Sequence, residues 1–341
     1  MKLVAAALVS AALAAAAPSA TVVAKIRTGQ QPCATVGYGG FLYVANYRSN
    51  TIAKVDPRTN RVVRRLSVGL QPCGLVAGGG ALWVDGFGTN TIEKVDPKRF
   101  RRVRRIRVGN QPYDVAYGLG SVWASNNLDG TVSRIDPRSG RVVRTIRTGG
   151  APSGLRIAAG SVWLGSSGDS RLRRIDPATG RVTEIDLKGA LSPGWLEATD
   201  DAVWVADAQA NTVTRVDPAT NRVVATIPVG RAPADGVVGS DGFVWIPIQG
   251  DGTVARIDPA TNSVAGTVHV GKIRSWRAVP SATCGSRTSA APRSGASTSA
   301  AKAAGSLRCR ARGPQRPAPG RRGSAAPSSP RTPSRTRASR P

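Results

Sequence analysis

Few residues in this 341-residue chain are of a type that does chemistry. The one histidine, His269, lies in a valine-rich stretch typical of a strand, where a lone histidine is usually structural. Glutamate occurs only at Glu93, Glu184 and Glu197, and no catalytic triad, phosphate-binding loop or nucleotide fingerprint appears. The sequence therefore predicts no catalytic site, no cofactor site and no metal site.

Cys33 and Cys73 are a second candidate for chemistry. Each follows Gln-Pro, and they are 40 residues apart. They could form a disulfide or remain two small buried thiols, depending on whether their Cα atoms come within about 7 Å. No histidine accompanies them, which argues against a metal site.

An internal repeat of about 40 residues must position all of these side chains. Valine or isoleucine followed by Asp-Pro recurs six times, and an aromatic residue keeps the same phase. The aspartates are Asp56, Asp96, Asp136, Asp176, Asp217 and Asp258, and the aromatic residues are Tyr43, Trp83, Trp123, Trp163, Trp204 and Trp245. Six copies of this length predict an all-β fold, a β-propeller of four-stranded blades.

One copy shows how each blade is built. Strands are predicted at 113–117, 121–125, 131–135 and 141–147, with turn residues between them. The Asp-Pro aspartates are interpreted as hairpin formers, because aspartate accepts hydrogen bonds from the backbone that follows it. The tryptophans are interpreted as packing between blades rather than as a carbohydrate-stacking row. The second copy reads Lys98-Arg99-Phe100 after Asp-Pro, so its hairpin is predicted to be irregular.

Positions that differ between copies give the candidate ligand site, since loops on a rigid scaffold often carry function. They lie after the repeat prolines, at the predicted mouth of the channel, and in the loops after the aromatic strand. The candidate ligand rim consists of Tyr113, Asp114, Trp195, Glu197, Asp235, Asn126 and Asp207. Tyr47 and Phe87 occupy the same kind of loop. The alternative is ordinary variation of solvated loops.

Charge is unevenly distributed along the chain. The formal net charge is +28, but 16 basic and no acidic residues follow Gly271; without these and Lys2 the body carries about +11. The fourth strands of the first three copies are rich in arginine, which favours an anionic cell-envelope polymer as one possible partner. A solvated edge that prevents aggregation explains the arginines equally well. Nucleic acid is disfavoured, because no stacking aromatics are interleaved with them.

The N-terminal residues predict export. Residues 1–20 contain Lys2, an apolar run and small residues, the layout of a signal peptide, with a retained anchor as the alternative. We therefore expect a secreted or extracytoplasmic protein, monomeric and without a transmembrane span in its mature form.

The repeat also resembles known families. The segment from Tyr43 through Asn46, Asn50 and Asp56 resembles the YVTN repeat of bacterial extracytoplasmic propellers, and the form around Trp204 resembles streptogramin lyase-like repeats. The resemblance covers about residues 21–271. Streptogramin lyases act on a cyclic peptide lactone with a histidine base and a divalent metal, and the ring here holds only His269.

The missing catalytic histidine leaves three hypotheses about function. A non-catalytic scaffold that binds a protein or polymer partner is the leading hypothesis. A degenerate, metal-dependent streptogramin lyase-like enzyme is the alternative, and a nonfunctional product is a third.

The ends of the propeller region, 21–271, do not match each other. Residues 21–29 resemble the fourth strand of a blade, such as 222–230, but no inner strands precede them. Residues 272–341 form a basic low-complexity tail without homology to the repeat, predicted to be disordered. Shifted by one base, the codons of 281–296 permit the blade-like sequence GDVWVPNFGGTEVWRL. We therefore hypothesise a frameshift near Lys272 and seven blades in the intact ancestor, with a genuine basic tail as the alternative.

Overall fold

The structure, a computed structural model, describes residues 22–271. The predicted signal peptide (1–20) and the basic tail (272–341) lie outside the described residues. Residues 22–271 contain 24 strands and one short 3-10 helix, Phe87–Thr89. The strands form six four-stranded antiparallel blades of a β-propeller, which confirms the predicted fold class.

The first three blades follow one pattern. The first contains β1 (Pro32–Tyr38), β2 (Phe41–Asn46), β3 (Thr51–Asp56) and β4 (Arg61–Ser67). The second contains β5 (Leu75–Gly78), β6 (Ala81–Gly86), β7 (Thr91–Asp96) and β8 (Arg101–Arg107). The third contains β9 (Pro112–Gly118), β10 (Ser121–Asn126), β11 (Thr131–Asp136) and β12 (Arg141–Arg147), so its strands match the predicted ones to within one residue.

The last three blades follow the same four-strand pattern. The fourth contains β13 (Pro152–Ala158), β14 (Ser161–Ser166), β15 (Arg171–Ile175) and β16 (Val182–Asp186). The fifth contains β17 (Pro193–Thr199), β18 (Ala202–Asp207), β19 (Thr212–Asp217) and β20 (Arg222–Pro228). The sixth contains β21 (Val237–Val238), β22 (Val244–Ile248), β23 (Thr253–Asp258) and β24 (Ser263–His269), and its first strand is the shortest in the described chain.

Successive blades pack face to face through the apolar residues of their inner strands. Trp83, Trp123 and Trp163 are fully buried, and Trp204 is 2% exposed. The third and fourth blades, for example, bury Trp123, Val132, Leu155 and other side chains in one cluster. The repeated tryptophans therefore belong to the core between blades, as their recurrence predicts.

The Asp-Pro turns form as predicted. In each of the six turns the aspartate accepts a hydrogen bond from the backbone N–H two residues later, at 2.7–2.9 Å. Hydrogen bonds within the turns lower the pKa of five of these carboxyls below the ordinary value. The main donor is the side chain of Arg58 for Asp56 and of Thr220 for Asp217, and a backbone N–H two or three residues later for Asp96, Asp136 and Asp176.

The predicted irregular hairpin in the second blade is wrong. Asp96 pairs with Arg101 in the same register that Asp56 keeps with Arg61 in the first blade. Phe100 adopts the left-handed conformation (φ 49°) that glycine or asparagine adopts elsewhere. Its ring is 2% exposed and lies 5.7 Å from the ring of Tyr43. The first blade has tyrosine where other blades have tryptophan, and Phe100 fills that space.

Candidate functional site

Three carboxylates from three blades surround one arginine on the innermost strands. Arg156, on β13, donates from Nη2 to both carboxylate oxygens of Asp235, at 2.8 and 2.7 Å. Its Nη1 donates to Asp114 at 3.2 Å and its Nε to Glu197 at 3.5 Å. These four residues, the axial cluster, join the third, fourth, fifth and sixth blades.

Burial and neighbouring charges shift the pKa values of two members of the axial cluster, Glu197 and Arg156. Burial raises the pKa of Glu197, and the charge of Asp235 raises it further, while the guanidinium of Arg156 opposes both effects. Burial acts to lower the pKa of Arg156, but attraction from Asp235, Glu197 and Asp114 outweighs it and raises that pKa. Arg156 therefore stays charged, and burial disfavours the charged form of Glu197.

Sequence comparison of the blades placed the three acids at the channel but missed Arg156. Glu197 and Arg156 are each the fourth residue after the repeat proline, where the first three blades have Val36, Val76 and Ala116. Two adjacent blades with opposite charges at an otherwise apolar position were the available signal.

Four aromatic side chains form a second feature, the aromatic arc. Tyr113 stacks on Trp195 with ring centroids 5.5 Å apart. Phe87 lies edge-on to Tyr113 at 6.0 Å, and Tyr47 lies 6.3 Å from Phe87. Trp195 is buried, whereas Tyr47, Phe87 and Tyr113 are half-buried. The arc runs from the first blade to the fifth and keeps apolar surface open to solvent.

Small residues in the fourth blade let Tyr113 and Trp195 meet, although they belong to the third and fifth blades. A Cβ atom on Gly154 would lie 2.7 Å from the carbonyl oxygen of Gly194, so only glycine permits this approach of the two strands. Ser153 fixes the same approach by donating to that oxygen at 2.8 Å.

The two remaining rim residues, Asn126 and Asp207, form hydrogen bonds with nearby residues. Asn126 is fully buried and donates to Thr131 and Ser133, each at 2.9 Å. Asp207 is 2% exposed and accepts hydrogen bonds from backbone N–H groups that include those of Leu191 and Gln209. Of the seven predicted rim residues, the structure groups three in the axial cluster and two in the aromatic arc. Asn126 instead bonds the side-chain hydroxyls of nearby residues, and Asp207 bonds nearby backbone N–H groups.

Cys33 and Cys73 form a disulfide between the first and second blades. Their Cα atoms are 5.0 Å apart, within the range that a disulfide spans. Both residues are buried. Of the two alternatives that the sequence left open, the structure therefore has the pair joined.

His269 lies on β24, the outermost strand of the sixth blade, and is exposed there. Among residues 22–271, no group of three or more histidine, cysteine, aspartate or glutamate side chains is placed to hold a metal ion. The three carboxylates of the axial cluster converge on Arg156 instead.

The fold and its repeat define a β-propeller of the architecture found in streptogramin B lyase. A family model described as a repeat of unknown function (DUF6923) matches residues 71–192. No curated protein matches the chain by sequence.

Solved structures match along most of the described region. A streptogramin B lyase structure is 16% identical with a TM-score of 0.64, and the match covers 73% of this chain and 85% of that one. Virginiamycin B lyase from Staphylococcus aureus is 17% identical with a TM-score of 0.62, covering 73% and 87%. A protein of unknown function from Desulfotomaculum acetoxidans is 15% identical with a TM-score of 0.62, covering 70% and 83%. At these identities the matches establish a shared fold.

Proposed function

We propose that this protein is an extracytoplasmic, non-catalytic binding scaffold whose partner docks on the aromatic arc. The arc carries the proposal, because Tyr47, Phe87 and Tyr113 keep partly exposed rings in contact with one another. Aromatic side chains of this kind supply a large share of the energy at binding surfaces. The axial cluster holds β9, β13 and β17 together, so the arc is presented on a rigid support.

Export is supported by two independent features. Residues 1–20 have the layout of a signal peptide. The Cys33–Cys73 disulfide fits an oxidising compartment, because disulfides persist there and are rare in the cytosol.

The arginine-rich fourth strands are the weaker candidate for a binding surface. Their arginines are exposed, but at least three of them have structural partners in the next blade. Arg64 donates to the carbonyl of Arg99, Arg104 to that of Ser139 and Arg144 to that of Ala178. These bonds explain part of the arginine content without an anionic polymer.

Site-specific photo-crosslinking tests the scaffold proposal. A photoreactive phenylalanine analogue at position 87 is compared with the same analogue at Val224, an exposed residue of the outer strand β20. In intact cells that produce the chain, we expect adducts from position 87 and not from 224. Sensitivity of the adduct to protease or to a muramidase then separates a protein partner from a cell-wall polymer. Equal adducts at both positions, or none at 87, would contradict docking on the arc.

The alternative is a degenerate streptogramin lyase-like enzyme, suggested by the shared fold. Incubation of the chain with virginiamycin B, with and without divalent cations, tests it. We expect no opening of the lactone by mass spectrometry, because His269 is exposed on an outer strand. Turnover that a chelator abolishes would favour the enzyme over the scaffold.

A further inference from the structure

In four of the six blades, a basic residue on the third strand joins the blade to the next one. We call this contact the latch. In the second to fifth blades it stacks over the blade's tryptophan, with its charged group 5.0–5.2 Å from the ring centroid. Its head group donates to the carbonyl oxygen of the proline in the next blade's Asp-Pro turn, at 2.6–2.8 Å. The four pairs are Lys94 with Pro137, Arg134 with Pro177, Arg174 with Pro218 and Arg215 with Pro259. In the first blade the hydroxyl of Tyr43 reaches the carbonyl of Pro97 at 3.4 Å instead.

The sixth blade carries the same latch without an acceptor. Arg256 lies over Trp245 at 5.7 Å, and its side chain is 14% exposed. Within the described residues its Nε has no hydrogen-bond partner, and its ion pair, 3.7 Å to Asp241, is inside its own blade. Trp245 is only partly buried, unlike the tryptophans of the four preceding blades. The guanidinium also lies 3.4 Å from the ring centroid of Phe243 in its own blade. In the four preceding blades the equivalent basic residue bonds the next blade's Asp-Pro turn, so the matching face of the sixth blade fits another such turn.

At the opposite end of the row of blades, the first described residues of the chain lie against the first blade. Residues 22–29, which resemble a fourth strand in sequence, lie against the first blade. Ile26 packs on the cluster that contains Val44 and Val55. Arg65 donates to the carbonyl of Thr28 at 3.1 Å, and the Thr28 hydroxyl donates to Asn46 at 2.9 Å. Within the described residues the five clusters that join successive blades include none that joins the sixth to the first.

We propose that the face of the sixth blade around Trp245 and Arg256 is the seat of a seventh blade of this protein. Residues 22–29 form its fourth strand, and its first three strands are encoded after Lys272 in the reading frame shifted by one base. That frame permits GDVWVPNFGGTEVWRL over the codons of 281–296, which has the tryptophan of a blade's second strand.

Two chains test the proposal: the chain as written, and one whose frame is restored by a single-base insertion after codon 272. Arg256→Met is made in each, with Arg215→Met as the matched control because Arg215 has its acceptor in both. We expect Arg215→Met to lower the midpoint of thermal unfolding in both chains, and Arg256→Met to lower it only in the restored chain. Backbone amides of β22 and β23 should exchange with solvent at least about tenfold more slowly in the restored chain.

Three outcomes overturn the proposal. Arg256→Met has the same effect in both chains, or the restored chain aggregates while the chain as written stays monomeric. Alternatively, β22 and β23 become protected in the chain as written as its concentration rises, which assigns the face to a second copy. Coding DNA from close relatives gives an independent check, since continuation in the shifted frame supports the seventh blade and continuation in the written frame contradicts it.

Discussion

Arg156 donates two hydrogen bonds to the carboxylate of Asp235, although the two residues are 79 positions apart and belong to the fourth and sixth blades. The repeated latches connect only neighbouring blades, whereas this ion pair connects two blades that are separated by a third. Asp114 and Glu197 complete its surroundings, and the charges in this cluster are interdependent.

Replacement of Arg156 by methionine should strongly destabilise the protein at neutral pH. Methionine keeps an apolar stem but leaves three carboxylates without their cation, and loss of one partner of a buried ion pair typically costs about 3–5 kcal/mol. Urea unfolding at pH 7 measures the loss, and part of it should be recovered at pH 4.5, where more of Glu197, whose pKa burial raises, is protonated. Arg138→Met, at an exposed turn position, is the control and should change little. Equal effects of the two substitutions would show that the axial cluster does not contribute to stability.

Glu197→Gln should stabilise the protein at neutral pH. The pKa of Glu197 is raised above its ordinary value of 4.5, so the folded state holds a proton more tightly than the unfolded state does. Stability is therefore lost as the pH rises from the ordinary carboxyl pKa through the raised one. Glutamine is neutral at every pH, so this part of the pH dependence should disappear. Unfolding midpoints between pH 4 and 8 test this, with Glu184→Gln as a comparison that should not stabilise, because Glu184 is exposed and pairs with Arg173 at 3.0 Å. A variant that is less stable than the wild type at pH 7 contradicts the expectation.

Phe100→Gly tests the exchange of backbone strain for packing in the second blade. Loss of a buried phenylalanine costs about 3–5 kcal/mol, and relief of a left-handed conformation returns about 1–2 kcal/mol. We expect a net loss of about 2–3 kcal/mol in the free energy of unfolding, measured by urea denaturation. Asn60→Gly, at the equivalent turn position of the first blade (φ 55°), should be nearly neutral. A stabilised Phe100→Gly variant would mean that strain outweighs the contact with Tyr43.

Reduction of the Cys33–Cys73 disulfide should lower stability by about 4 kcal/mol, the estimate for a loop of about 40 residues. The measurement is best made in a Cys284→Ser, Cys309→Ser background, with and without reductant. Cys33→Ser in that background should match the reduced protein and show no response to reductant. Mass spectrometry that finds two free thiols in the untreated protein would contradict the pairing.

The regular part of this molecule could be predicted from its sequence, because the repeat reports the same structural demand six times. The six turn aspartates and the buried tryptophans lie where the repeat predicts. The exceptions could not be read in this way. Phe100 depends on the smaller Tyr43 in the neighbouring blade, and Arg156 depends on acids from three other blades. Interactions between non-equivalent positions leave no periodic signal.

The range of the latches bears on how the chain acquires its structure. Each latch joins residues 43 or 44 positions apart, whatever the number of blades. Loop closure therefore costs the same entropy at every step, and a blade can dock as soon as its successor has been synthesised. The bond from Arg156 to Asp235 must wait for two further blades. If the chain folds in increments of about 40 residues, the ion pair between Arg156 and Asp235 therefore forms late, because it needs the fourth to sixth blades in place.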